Sequence, residues 1–131
     1  MIARDAKKTI DYVLEDERNA PPEARTTWTL GVISARAHAA IADETLTFAP
    51  SGKVTGFRNA LHTLLTVAYG LRGVSGLKGE DGEDLTLTWA DGSGGPRVAD
   101  SFLDQIPPAV RLELANRITD LNSVGPEERK N

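Results

Sequence analysis

The apolar positions along the chain switch between two periods. In Thr27-Trp28-Thr29-Leu30-Gly31-Val32, the residues Trp28, Leu30 and Val32 alternate with Thr and Gly, the two-residue period of a half-buried strand. Thr9-Ile10-Asp11-Tyr12-Val13-Leu14 is rich in β-branched and aromatic residues and is followed by charged residues and Pro21-Pro22, which predicts a short extended arm or edge strand. Ser34 offers a capping hydroxyl ahead of the Ala-rich run Ala35 to Asp43, predicting a short helix. Leu46 and Phe48 suggest a brief extended piece closed by Pro50-Ser51-Gly52.

From Gly56 to Leu71, the residues Phe57, Ala60, Leu61, Leu64, Leu65, Ala68 and Leu71 fall on one helical face. This predicts the central helix, with Thr55 as its N-cap and Gly70 and Gly73 as its left-handed stop. The runs Val74-Ser75-Gly76-Leu77 and Leu85 to Trp89 flank the polar tip Lys78 to Asp84, with Asp81-Gly82 suited to a hairpin turn. Residues 91–97, rich in Gly, predict a flexible loop. A single turn around Phe102-Leu103 precedes a last helix entered through Pro107-Pro108, whose stripe is Val110, Leu114, Ile118 and Leu121. Arg111, Glu113, Asn116, Arg117 and Asp120 face away from that stripe, and Glu113 and Arg117 have the spacing of a helical ion pair. The sum is a small single α+β domain spanning 1–131, with two main helices, one short helix and a few antiparallel strands including a hairpin. Residues 1–25 form an extended N-terminal arm and 124–131 a charged tail.

Composition narrows the partners. At 131 residues, the chain can bury about two thirds of its unfolded surface without metal or disulfide. A net charge of −4 lacks the clustered Lys and Arg that phosphate neutralisation requires, so no nucleic-acid partner is expected. The absence of cysteine removes disulfides, thiol catalysis and thiolate metal sites together. No apolar run reaches the length of a signal sequence or a membrane span, so a cytosolic protein without a membrane partner is expected.

Candidate chemistry is sparse. His38 and His62 lack a ligand at chelating helical spacing, and Asp43 lies five residues from His38, too far round a helix to share a metal with it. Glu80-Asp81-Gly82-Glu83-Asp84 does not follow the alternation of a calcium loop. Gly92 to Gly95 is not followed by the Lys-Ser or Lys-Thr of a phosphate loop, and no Ser lies in a Gly-x-Ser-x-Gly elbow. No catalytic residue, cofactor or metal is assigned, and the chain is not expected to be an enzyme. What remains is partner binding: small residues Ala35 and Ala39 on the Ala-rich helix, Leu112 outside the apolar stripe of the last helix, and Ile10, Tyr12 and Val13 in the arm.

Four stretches carry a resemblance that spans most of the chain: Tyr69-Gly70-Leu71-Arg72-Gly73-Val74, Gly79-Glu80-Asp81-Gly82, Phe102 to Ala115 with its Ile106-Pro107-Pro108 entry, and the ending Glu127 to Asn131. In these stretches the chain resembles small proteins encoded in the morphogenesis regions of tailed bacteriophages. That resemblance implies a tail assembly chaperone acting in the host cytoplasm, with the tape measure or tube subunit as client and self-association also open. The alternative it implies is a minor structural part of the virion tail or head–tail junction. Its motifs are structural, so no active-site residue is carried over.

Overall fold

The computed structural model describes residues 1–123; the expected charged tail, 124–131, lies outside the described residues. Its first sheet contains β1 (Thr9–Tyr12), β2 (Thr27–Gly31) and β5 (Leu71–Ser75), with β2 in the middle and both pairings antiparallel. Two further hairpins pair β3 (Leu46–Phe48) with β4 (Val54–Phe57), and β6 (Trp89–Gly92) with β7 (Gly95–Val98). The helices are α1 (Ala35–Thr45), α2 (Asn59–Gly70), the single turn α3 (Asp100–Leu103) and α4 (Pro108–Ser123). The α+β class read from the sequence is the class observed.

One core serves these elements apart from β3, β4 and β6, which contribute no side chain to it. Antiparallel register sets Ile10 opposite Leu30 and Leu30 opposite Leu71, and sets Tyr12 opposite Trp28 and Trp28 opposite Val74. Directly paired residues share a face, so this row forms the inner surface of the sheet. Helix α2 packs between α1 and α4, and its C-terminal half is buried on every side from Leu65 to Gly70. Trp28, Leu30, Phe102, Leu114 and Ile118 complete a contiguous interior.

Helix α1 begins where the sequence placed it: Ser34 Oγ accepts from the Ala37 N–H at 3.1 Å. Helix α4 follows its expected stripe, burying Leu114, Ile118 and Leu121 together with Ala115. At its far end, Asn122 holds the β2–α1 connection. Its Oδ1 accepts from the Ile33 N–H at 2.7 Å, while its Nδ2 donates to the Ile118 carbonyl at 2.7 Å. Since Ile33 is buried, Asn122→Ala leaves a backbone donor without its partner. A loss of about 1–3 kcal/mol is expected, read as a lower urea midpoint at unchanged m-value.

Four expectations are corrected. The first concerns the extended arm 1–25: residues 9–12 form the edge strand that was the other expectation for this segment, and single 3-10 turns follow at Glu15–Glu17 and Pro22–Ala24. These turns are tied down by Arg25, which donates to the carbonyls of Ala20 and Arg18 at 2.8 Å each, and by Glu17, which accepts from the Thr26 N–H at 2.9 Å.

The second is the start of the central helix, at Asn59 rather than Gly56; Thr55 and Phe57 belong to β4, and Arg58 is the N-cap. At the other end, neither Gly70 nor Gly73 is left-handed, because α2 runs straight into β5.

The third is the hairpin expected from Val74 to Trp89. Val74 and Ser75 pair with β2 and Trp89 opens β6, while the tip closes as expected at Asp81-Gly82, with Gly82 at φ +80°, the Leu85 N–H donating to the Leu77 carbonyl and the Gly79 N–H to the Glu83 carbonyl at 2.8 Å each, and a bridge between Lys78 and Asp84. The fourth is the flexible loop 91–97, which is paired chain turning only at residues 93–94: Asp91 and Gly92 end β6, and Gly95 to Arg97 begin β7. The glycines there permit close packing: a Cβ on Gly92 would lie 2.3 Å from Tyr69 Oη, and one on Gly94 would lie 2.7 Å from the Ala37 Cα. The Gly94 N–H donates to Tyr69 Oη at 3.0 Å, so the turn is anchored to the end of α2.

Candidate functional site

A shallow groove of about 680 Å³ runs between the segment after β1 and the outer face of α4, lined by Tyr12, Glu15, Arg18, Ala109, Leu112 and Glu113, with Asn116, Arg117 and Asp120 continuing it along the helix. Its inner wall is built by one carboxylate. Glu113 Oε2 accepts from Tyr12 Oη at 2.6 Å and from the Glu15 N–H at 3.0 Å, joining the end of β1 to the middle of α4. Glu113 therefore serves a tertiary contact rather than the helical pair with Arg117 that its spacing suggests.

Arg18 closes the wall, with its guanidinium 5.5 Å from the centre of the Tyr12 ring. Burial raises the Tyr12 phenol above its ordinary value, the hydrogen bond to Glu113 and that residue's negative charge add to the rise, and Arg18 opposes it. Tyr12 consequently stays a neutral donor. Leu112 stands on the helical face of the groove and is 51% exposed. Acidic Glu15 and Asp120 and basic Arg18 and Arg117 surround it, so the surface is an apolar residue within a rim of both signs.

The residues singled out in the sequence separate into three places. Tyr12 and Leu112 meet in this groove. Ile10 and Val13 are half-buried, and Ile10 packs on the core, so its side chain serves the fold. Ala35 and Ala39 are exposed on α1, whose buried side carries Ala37, Ala40 and Ile41; they line no part of the Tyr12–Leu112 groove.

Comparison with known families, curated proteins and solved structures finds no match.

The histidines stand apart from the groove. Partial burial pushes the His38 imidazole below its ordinary value, with the positive charge of Arg4 and the nearby His62 adding to the shift. His62 stacks obliquely on Phe57, ring centres 5.1 Å apart. Among the described residues, no group of three His, Asp or Glu side chains is placed to hold a metal ion. Within Glu80–Asp84, Asp84 pairs with Lys78 and Asp81 Oδ1 accepts from the Glu83 N–H at 3.0 Å, both contacts that shape the turn. No helix among the described residues is long and apolar enough to cross a membrane.

One surface is absent from the sequence reading altogether. The β3–β4 hairpin exposes Phe48 (53%), Val54 (51%) and Phe57 (51%). The Phe57-Ala60-Leu61-Leu64 spacing assigns Phe57 to the buried stripe of a helix; in the fold, α2 starts two residues after Phe57 and leaves it outside. The usable signal was Val54-Thr55-Gly56-Phe57 itself, a β-branched stretch interrupted by glycine that answers Leu46-Thr47-Phe48 across the Pro50-Ser51-Gly52 turn.

Proposed function

We propose that this protein is a tail morphogenesis protein of a tailed bacteriophage that binds another tail protein, the tape measure or tube subunit, and acts as its assembly chaperone in the host cytoplasm. The lineage is supported by the resemblance carried by Tyr69 to Val74, Gly79 to Gly82 and Phe102 to Ala115. The observation that carries the binding role is the groove between Tyr12 and Leu112, an open surface with a half-exposed leucine inside a rim of mixed charge. A chaperone has to release its client when the tail polymerises. A small apolar contact ringed by solvated charge suits that, since screened rim pairs add little affinity while a single leucine anchor adds a modest amount.

A helical client would lay its apolar face along α4, with its own charges meeting Arg117 and Asp120, one turn apart on the same side of that helix. Leu112→Asp is expected to abolish copurification of the coexpressed client without lowering thermal stability, because the side chain is largely solvent-facing. Unchanged copurification would remove the groove from the reading.

The structural-component reading draws on a different feature. Strand β1 is an edge of its sheet, paired on one side only, and strand addition from a neighbouring subunit would use the other.

A further inference from the structure

We infer that the protein forms a two-fold dimer through the apolar face of the β3–β4 hairpin, each copy covering the other's Phe48, Val54 and Phe57. The register defines that face. Phe48 is paired with Val54 and Leu46 with Phe57, so these four side chains stand on one side of the hairpin. Thr47 and Thr55 meet on the other side, their hydroxyl oxygens 3.3 Å apart, and Gly56 joins them beneath. A two-stranded sheet is marginal in water without something packed on a face. Here the polar face is the one that closes on itself, and three large apolar side chains are left half exposed.

The charges around the face select a second copy as the occupant. Lys53 is at the hairpin tip, beside the turn in which Gly52 adopts φ +87°. At the base, Asp43 and Glu44 wall a groove floored by Leu46, Leu61 and Leu64, with Arg58 at its side. Among the described residues, neither Lys53 nor Asp43 nor Glu44 takes part in an ion pair, whereas Arg97 and Asp100 at the far wall are paired with each other. A two-fold axis lying between two stacked faces and crossing the strands reverses one hairpin over the other, so each tip comes to the partner's base. Lys53 of one copy then lies at the Asp43–Glu44 wall of the other, twice over, and the apolar strip from Phe48 to Leu46 runs on into the Leu61–Leu64 floor. The surface is complementary to itself, as a two-fold interface has to be.

The area sets the strength. Two half-exposed phenylalanines and a valine offer roughly 300 Å² of apolar surface per copy, against about 800 Å² per partner in a standard interface. The remainder is the charged rim. Such a dimer is weak and reversible. It leaves the Tyr12–Leu112 groove uncovered, and it stands whether or not the chaperone reading does, because its readout requires no client.

Sedimentation equilibrium of the purified full chain over a wide concentration range tests it. The wild type is expected to move from monomer to dimer mass with rising concentration, and Phe48→Asp is expected to stay monomeric. Lys53→Glu should weaken the dimer about tenfold through like-charge contact with Asp43 and Glu44. Adding Asp43→Lys and Glu44→Lys to that variant should restore the dimer, an outcome that a merely unfolded hairpin could not give. A wild type that is monomeric throughout overturns the inference and leaves the face to a partner of another sequence. So does a dimer indifferent to both Phe48→Asp and the charge exchange.

Discussion

Ile118→Ala is expected to cost about 2–5 kcal/mol, and Gly70→Ala about 1–2 kcal/mol, but the double variant should cost clearly less than their sum. The coupling follows from the crossing of α2 and α4. A Cβ at position 70 would sit 2.5 Å from Ile118 Cγ2 and 2.8 Å from its Cδ1, and Ile118 is fully buried. A β-branched side chain in a helix has little freedom to turn its Cγ2 away, so the added methyl has to displace a helix. Its cost is partly offset because alanine is the better helix former, by up to about 1 kcal/mol. Truncating Ile118 removes every atom that the new methyl would strike, and the methyl then fills part of the vacated space. Chemical denaturation of the four proteins gives the coupling energy, expected at about 1 kcal/mol or more. Additive losses would mean that the two helices do not approach at these residues.

The second large effect lies across the sheet. Trp28 is the biggest fully buried side chain, at 2% exposure, and Trp28→Ala should cost about 3–5 kcal/mol. Trp28→Phe should cost much less, about 1–2 kcal/mol. The indole Nε1 is buried without a hydrogen-bond partner, so the aromatic replacement gives up packing volume while removing an unsatisfied donor that itself costs about 1–3 kcal/mol. A loss above about 3 kcal/mol for Trp28→Phe would show that the indole N–H is bonded in the folded protein.

How much of this was written in the sequence depends on the range of the interactions concerned. Strand β2 and helices α1 and α4 were legible because their cues are local: alternation around Trp28 and Leu30, a Ser34 cap before a run of alanines, and a stripe at Val110, Leu114, Ile118 and Leu121 after two prolines. The turn glycines Gly52 and Gly82 were legible, but three others were misread because their role is set by distant atoms. Gly70 makes room for Ile118, and Gly92 and Gly94 make room for Tyr69 and α1; none of these three is left-handed, and a local reading of glycine expects stops and loops. Partner choice of strands failed for the same reason. Val74 and Leu85 flank a polar tip as a hairpin would, yet β5 pairs with β2, more than forty residues earlier in the chain, because that pairing completes the row behind Trp28 and Leu30.

The candidate groove was half visible. Leu112 stood outside its stripe and Tyr12 stood in a β-rich segment. Glu113 gave no sign that it would bond to Tyr12, since the two are 101 residues apart. The hairpin face was hidden by a competing periodicity, Phe57 fitting a helical stripe as well as it fits a strand.

The central claim is that the chain engages a tail protein during assembly and leaves before the particle is complete. Quantitative mass spectrometry of purified phage particles alongside the infected-cell lysate, with the major tail protein as the internal standard, tests it directly. The account predicts this chain in the lysate, copurifying with the tape measure or tube subunit, and its absence from the particles. A fixed ratio to the major tail protein inside purified particles would contradict it and make the chain a structural part of the virion.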